Sequence, residues 1–124
     1  MAERINSFAE LRAYQAACCL DEMVFEETKS WPGEEKYALI DQIRRSARSI
    51  GANIAEAWAK RRYPAHFVSK LTDADGELQE TRHWLGRALK YGYAAKAKTD
   101  TMEKQCTVIG KMLGSMIKKP EAFA

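Results

Sequence analysis

Along this chain apolar side chains recur at steps of three and four residues, and no segment shows the alternation of twos that marks a strand. Ser7-Phe8-Ala9-Glu10 reads as a capping box, the serine oxygen accepting from an early amide while the glutamate reaches back. Phe8, Leu11, Tyr14, Cys18 and Phe25 then predict an apolar stripe on a helix over about 8–29. Trp31-Pro32-Gly33 ends it.

A second stretch, about 34–60, opens with two glutamates, as the positive end of a helix prefers. Leu39, Ile43, Ala47, Ile50, Ile54 and Trp58 form its apolar stripe, with Trp58 read as core. Gln42, Ser46, Ser49, Asn53 and Glu56 form a second stripe, polar and mostly small, that suits close approach of another helix. That seam serves either the interior of a bundle or a contact between subunits.

Pro64 fits the first turn of a third helix, where its missing N–H costs nothing. Phe67, Leu71, Ala74, Leu78, Thr81, Leu85 and Ala88 predict its buried face over 64–91, and Gly92 predicts its end. Asp73, Glu77 and Glu80 make an acidic row on its flank. Trp84 lies beside that row and is the aromatic candidate for a subunit contact. Asp100 and Glu103 read as caps for a fourth helix over 100–118, with Met102, Cys106, Ile109, Leu113 and Met116 inward and Pro120 beyond its end. Four amphipathic helices with short connections predict an all-α, antiparallel up-down four-helix bundle, a single domain over 1–124.

Composition sharpens this picture at few points. The 124 residues include only three prolines and seven glycines, which leaves room for long helices. Three cysteines, two of them adjacent, make neither a disulfide framework nor a zinc site. Cys18, Cys19 and Cys106 read as small buried hydrophobes in a reducing compartment. The start of the chain, Met1 to Asn6, lacks the apolar stretch of a secretory signal, and no run of about 20 apolar residues follows. A cytoplasmic protein with no membrane partner is expected.

Charge is uneven. Residues 1–33 carry three basic and six acidic side chains, whereas 34–62 carry seven and four and 93–124 carry six and three. The overall +3 is modest, but the first segment is acidic and the second and fourth are basic.

Catalytic chemistry is hard to find. Glu80-Thr81-Arg82-His83 has the spacing of half a di-metal site, but no second Glu-x-x-His accompanies it. Asp21 and Glu22 beside Cys18 and Cys19 disfavour a thiolate nucleophile. No cofactor, no metal and no enzymatic activity are expected.

The basic residues carry more information. Arg44, Arg45 and Arg48 cluster on the second helix, and Lys60, Arg61 and Arg62 follow it, with Tyr63 and His66 close by. Cations interleaved with aromatics supply phosphate contacts and base stacking. The third helix starts without a side-chain cap, so its free amides suit an anion. The competing reading pairs Arg44, Arg45 and Arg48 with Asp73, Glu77 and Glu80 across neighbouring helices.

The segments Phe8 to Leu11, Pro32-x-x-Glu35-x-Tyr37-x-Leu39 and Gln42-Ile43-Arg44-Arg45-Ser46-Ala47-x-Ser49-Ile50-x-x-Asn53-Ile54-Ala55-Glu56 resemble the four-helix-bundle proteins encoded in intervening sequences of bacterial 23S rRNA genes. Phe67, Leu71, Asp73-Ala74, Glu77, Glu80-Thr81, Trp84-Leu85 and Gly92-Tyr93 continue the resemblance. Ala57 stands where that family commonly has glycine, which favours a continuous helix through Trp58. The resemblance implies a ring of five subunits. The chain is also similar to the accessory variability protein of diversity-generating retroelements, which implies binding to nucleic acid and a reverse transcriptase through basic surface residues. Arg44, Arg45 and Arg48 match most directly, Lys60, Arg61 and Arg62 more loosely.

Two functions therefore compete. One is a homo-oligomer that binds structured RNA or other nucleic acid through the six basic residues, its subunits meeting at Gln42, Ser46, Ser49, Asn53 and Trp84. The other is an adaptor that docks a protein partner through the same seam or through exposed aromatics.

Overall fold

A computed structural model describes residues 5–124. Its helices are α1 (Arg12–Thr28), α2 (Leu39–Ala59), α3 (Pro64–Lys90) and α4 (Lys96–Lys118). α2 packs against α1 and α3, and α4 closes the square against the same two, giving an antiparallel four-helix bundle. One end of the bundle gathers the start of α1, the α2–α3 turn and the end of α4. The other end gathers the α1–α2 and α3–α4 connections.

α3 matches its predicted stripe residue for residue: Phe67, Leu71, Ala74, Leu78, Thr81, Leu85 and Ala88 are all buried. Its end is fixed by glycine chemistry. Gly92 sits at φ +82°, a region that other residues rarely adopt. The Gly92 and Tyr93 amides donate back to Leu89 at 3.1 Å and Ala88 at 2.9 Å, closing a Schellman motif.

α1 departs from expectation in start and phase. Ser7 Oγ accepts from the Ala9 amide at 3.1 Å and the Glu10 carboxylate from the Asn6 amide at 2.9 Å. They close a single 3-10 turn, Phe8–Glu10, and Leu11 in extended geometry separates it from α1. The buried row is Ala13, Ala17, Leu20 and Val24, one residue earlier than the predicted Tyr14, Cys18 and Phe25. Phe8 and Phe25 are exposed, and Tyr14 and Cys18 half-buried. The reason is close approach. A Cβ placed on Gly51 of α2 would sit 3.9 Å from the Ala17 Cβ and 3.6 Å from the Tyr14 ring. Alanines fit between such helices and aromatics do not, so the large side chains turn outward.

α2 starts at Leu39, after a 3-10 turn over Gly33–Glu35, and Glu35 accepts from the Leu39 amide at 3.3 Å. It continues unbroken through Ala57 and Trp58 to Ala59. Trp58 is half-buried rather than core, because the Arg61 guanidinium lies 4.0 Å over its ring at the surface. The polar seam divides. Ser46 is buried, donates to the Ile43 carbonyl at 3.1 Å and meets the Thr81 hydroxyl of α3 at 2.9 Å. Ser46 therefore joins two helices of one bundle instead of two subunits.

α4 begins at Lys96, four residues before the predicted Asp100. Its opening run, Lys96-Ala97-Lys98, favours helix, and Thr99 behind it is already buried. Asp100 pairs with Lys96 at 3.2 Å and Glu103 with Arg82 of α3 at 3.1 Å, so neither caps the helix. The predicted inward residues Met102, Cys106, Ile109, Leu113 and Met116 are all buried. Burial pushes the Cys106 thiol up to about 12. Cys19, read as buried, is exposed. Among the described residues no helix is long and apolar enough to cross a membrane.

Candidate nucleic-acid interface

The six basic residues fall into two groups, one on α2 and one in the turn that follows it. Along α2, Arg45 and Ala59 are 14 positions apart, about 21 Å at 1.5 Å per residue. Each group is built differently.

In the first group Arg44 turns toward the C-terminal end of α1. Its Nε donates to Thr28 Oγ1 at 2.8 Å and its Nη2 to the Phe25 carbonyl at 3.4 Å. The guanidinium also lies 4.8 Å over the Phe25 ring. A cation at that point answers the free carbonyls and negative dipole of a helix end. Arg48 approaches Asp21 of α1 at 4.0 Å. Burial raises the Asp21 pKa, and Arg48 lowers it by less. Arg45 is exposed and joins no ion pair among the described residues.

The pairing expected with Asp73, Glu77 and Glu80 is absent from the described residues. Asp73 lies 3.8 Å from Lys70, and Glu80 accepts from Trp84 Nε1 at 3.2 Å. The physical cause is the rotation of α2 about its axis. Ser46 faces α3, which leaves Arg44 and Arg48 on the side of α1.

The second group forms the α2–α3 turn. Arg61 folds back, its Nη1 donating to the Trp58 carbonyl at 3.0 Å, and so caps α2. Lys60 and Arg62 are exposed and unpaired among the described residues. Tyr63 is 66 % exposed, and the His66 ring lies 6.0 Å from it, edge on. Tyr63 starts α3 without a side-chain cap, as the sequence predicts. The first amides of a 27-residue helix therefore open beside two free cations and an exposed ring.

The antiparallel topology adds residues that the reading of separate segments missed. Arg12 starts α1, and Lys118 and Lys119 end α4, at the same end of the bundle as Lys60 and Arg62. Phe123, just beyond those lysines, stacks on Phe67 of α3 at 5.6 Å. Alternating helix direction was the available signal, since it brings the ends of α2 and α4 together.

Of the remaining seam residues Gln42, Ser49 and Asn53 are half-buried, while Glu56 is exposed and pairs with Lys70 of α3. Asn53 donates to the Ser49 carbonyl at 2.9 Å, along its own helix, and Gln42 lies nearer the other end of the bundle. Trp84 is half-buried, its ring 4.7 Å from His83.

Residues 9–115 match the sequence model of the 23S rRNA-intervening sequence protein family. The chain belongs to that family. The match takes in all but the first residue, Phe8, of the segments that carry the resemblance. A solved relative is a protein of unknown function from the S23 ribosomal protein family of Bacteroides thetaiotaomicron. It is 31 % identical, with a TM-score of 0.77, over 86 % of this chain and 95 % of that one. No curated protein matches the chain. The 23S rRNA-intervening sequence family thus supplies a fold and a lineage. What this member does must come from its surface.

Proposed function

We propose that this family member is a non-enzymatic, cytoplasmic homo-oligomer that binds structured RNA through phosphate contacts at the α2–α3 turn. The observation that carries the reading is the placing of Lys60 and Arg62, exposed and unpaired among the described residues, beside Tyr63 and the uncapped start of α3. Phosphate favours both the cations and the helix amides, and an unpaired base stacks on the open tyrosine. Arg61 positions the turn instead of contacting RNA, and Arg45 adds a weaker second contact. Five copies, the number the family resemblance implies, carry +15, so that many weak contacts act together.

The test is fluorescence anisotropy with a structured RNA, a single strand and duplex DNA at two salt concentrations. Affinity that falls steeply with salt, and a shallower slope for the Lys60→Glu/Arg62→Glu variant, support the reading. No binding at low salt rejects it.

A second reading has its own observation. At the other end of the bundle Tyr37 is 86 % and Tyr91 54 % exposed, beside a Trp31–Tyr93 pair 6.3 Å apart. Exposed aromatics among charges of both signs suit a protein partner, as in an accessory subunit that docks a reverse transcriptase. Loss of partner capture by Tyr37→Ser/Tyr91→Ser, with RNA binding unchanged, would favour it.

A further inference from the structure

α1 has more apolar surface than its core contact uses. Phe8, Tyr14 and Cys18 leave the interior and rise beside α2, while Ala17, Ala47, Gly51, Ala52 and Ala55 form a floor of small side chains. The resulting groove holds about 290 Å³. Its rim toward the end of α1 carries Asp21, Glu22 and Glu26, opposed by Arg48. Small residues in a groove admit a close-packed helix, and an acidic rim selects a basic one.

The same chain offers such a helix face. Val108 is 41 % exposed on α4, and Lys104 and Lys111 flank it one turn away on the same outward face. Neither lysine joins an ion pair among the described residues. The acidic first segment and basic last segment are neighbours in the bundle, yet no ion pair among the described residues links α1 to α4. Their opposite charges are left for another molecule. Asp21, half-buried and 4.0 Å from Arg48, is stabilised by a further cation at this rim.

We propose that the α1–α2 groove of one copy seats the Lys104–Val108–Lys111 face of α4 of the next. The inference rests on the homo-oligomeric part of the function proposed above and names its interface. Groove and knob are different surfaces, so the contact is heterologous, the kind that closes rings.

Native mass spectrometry of the full chain at fixed concentration tests the contact. Ala52→Arg fills the groove with a bulky cation and should reduce the oligomer to monomer. Lys104→Glu/Lys111→Glu should do the same. Both sites are exposed, so circular dichroism and melting temperature should stay unchanged. A second measurement uses Cys18→Ala/Cys19→Ser protein carrying either Ala52→Cys or Val108→Cys. Cross-links should form when the two preparations are mixed and not within either alone. An oligomer that survives both charge variants, or one that links Ala52→Cys to itself, overturns the interface while leaving self-assembly standing. A monomeric wild-type chain overturns both. RNA affinity of the Lys60→Glu/Arg62→Glu variant, read on the same samples, reports separately on the nucleic-acid reading.

Discussion

One basic cluster sits on α2 and a second in the turn after it, and each contains one arginine folded over an aromatic ring at a helix end. Arg44 lies 4.8 Å over Phe25 and binds the last turn of α1; Arg61 lies 4.0 Å over Trp58 and binds the last turn of α2. The difference lies in what surrounds the other cations. Arg48 shares its surface with Asp21, Glu22 and Glu26. Among the described residues no such row is found beside Lys60 and Arg62, and the nearby Glu56 pairs with Lys70. The count of basic residues is the same at both sites, and the local potential is not. A cluster becomes a phosphate site by lacking nearby carboxylates, more than by holding arginines.

That comparison fails first at its strongest point. Lys60→Glu/Arg62→Glu should weaken RNA binding by about 100-fold near 0.1 M salt, with no change in melting temperature. Arg45→Glu/Arg48→Glu, an equal change of charge, should cost about fivefold. Equal losses in anisotropy titrations would erase the distinction between the clusters.

Stability should rank the anchored arginines above the free ones. Arg44→Ala removes two hydrogen bonds and a cation–ring contact, for about 2 kcal/mol in urea unfolding. Arg61→Ala, with one bond to a carbonyl, should cost about 1 kcal/mol. Arg45→Ala and Arg62→Ala should stay within about 0.5 kcal/mol. A large loss from Arg62→Ala would mean that it too is structural.

How much of this was legible follows from side-chain size and helix rotation. α3 was readable because Phe67, Leu71, Leu78 and Leu85 fix its buried face, with small residues on the same line between them. α1 was misphased because its contact is made by Ala13 and Ala17, which carry little hydrophobic signal, while Phe8 and Phe25 carry much and point away. The arginine partners were illegible for a related reason. Whether Arg44 meets α1 or α3 depends on how α2 turns about its axis, and the Ser46–Thr81 hydroxyl contact, 35 positions apart in the chain, sets that angle. The helix ends were partly readable. Gly92 gave one directly, whereas Asp100 looked like a cap and is instead one partner of an i,i+4 pair.

The finest test of the comparison is Asp21, the carboxylate that keeps the first cluster subdued. Burial holds its pKa above the ordinary carboxylate value, with Arg48 pulling the other way. The folded state therefore binds this proton more readily than the unfolded chain does. Its contribution to stability is present at low pH and is lost as pH rises through the folded pKa. The same proton changes recognition. As pH falls, Asp21 loses its charge earlier than an unperturbed aspartate would, and the surface around Arg45 and Arg48 grows more positive. RNA affinity through the first cluster should then rise about twofold, an increase best seen in Lys60→Glu/Arg62→Glu protein, where the stronger site is silent. Asp21→Asn should show the higher affinity at pH 7 and respond less to acid. If affinity in the Asp21→Asn background rises as steeply as in its parent, another group titrates, and Asp21 is not what separates the two clusters.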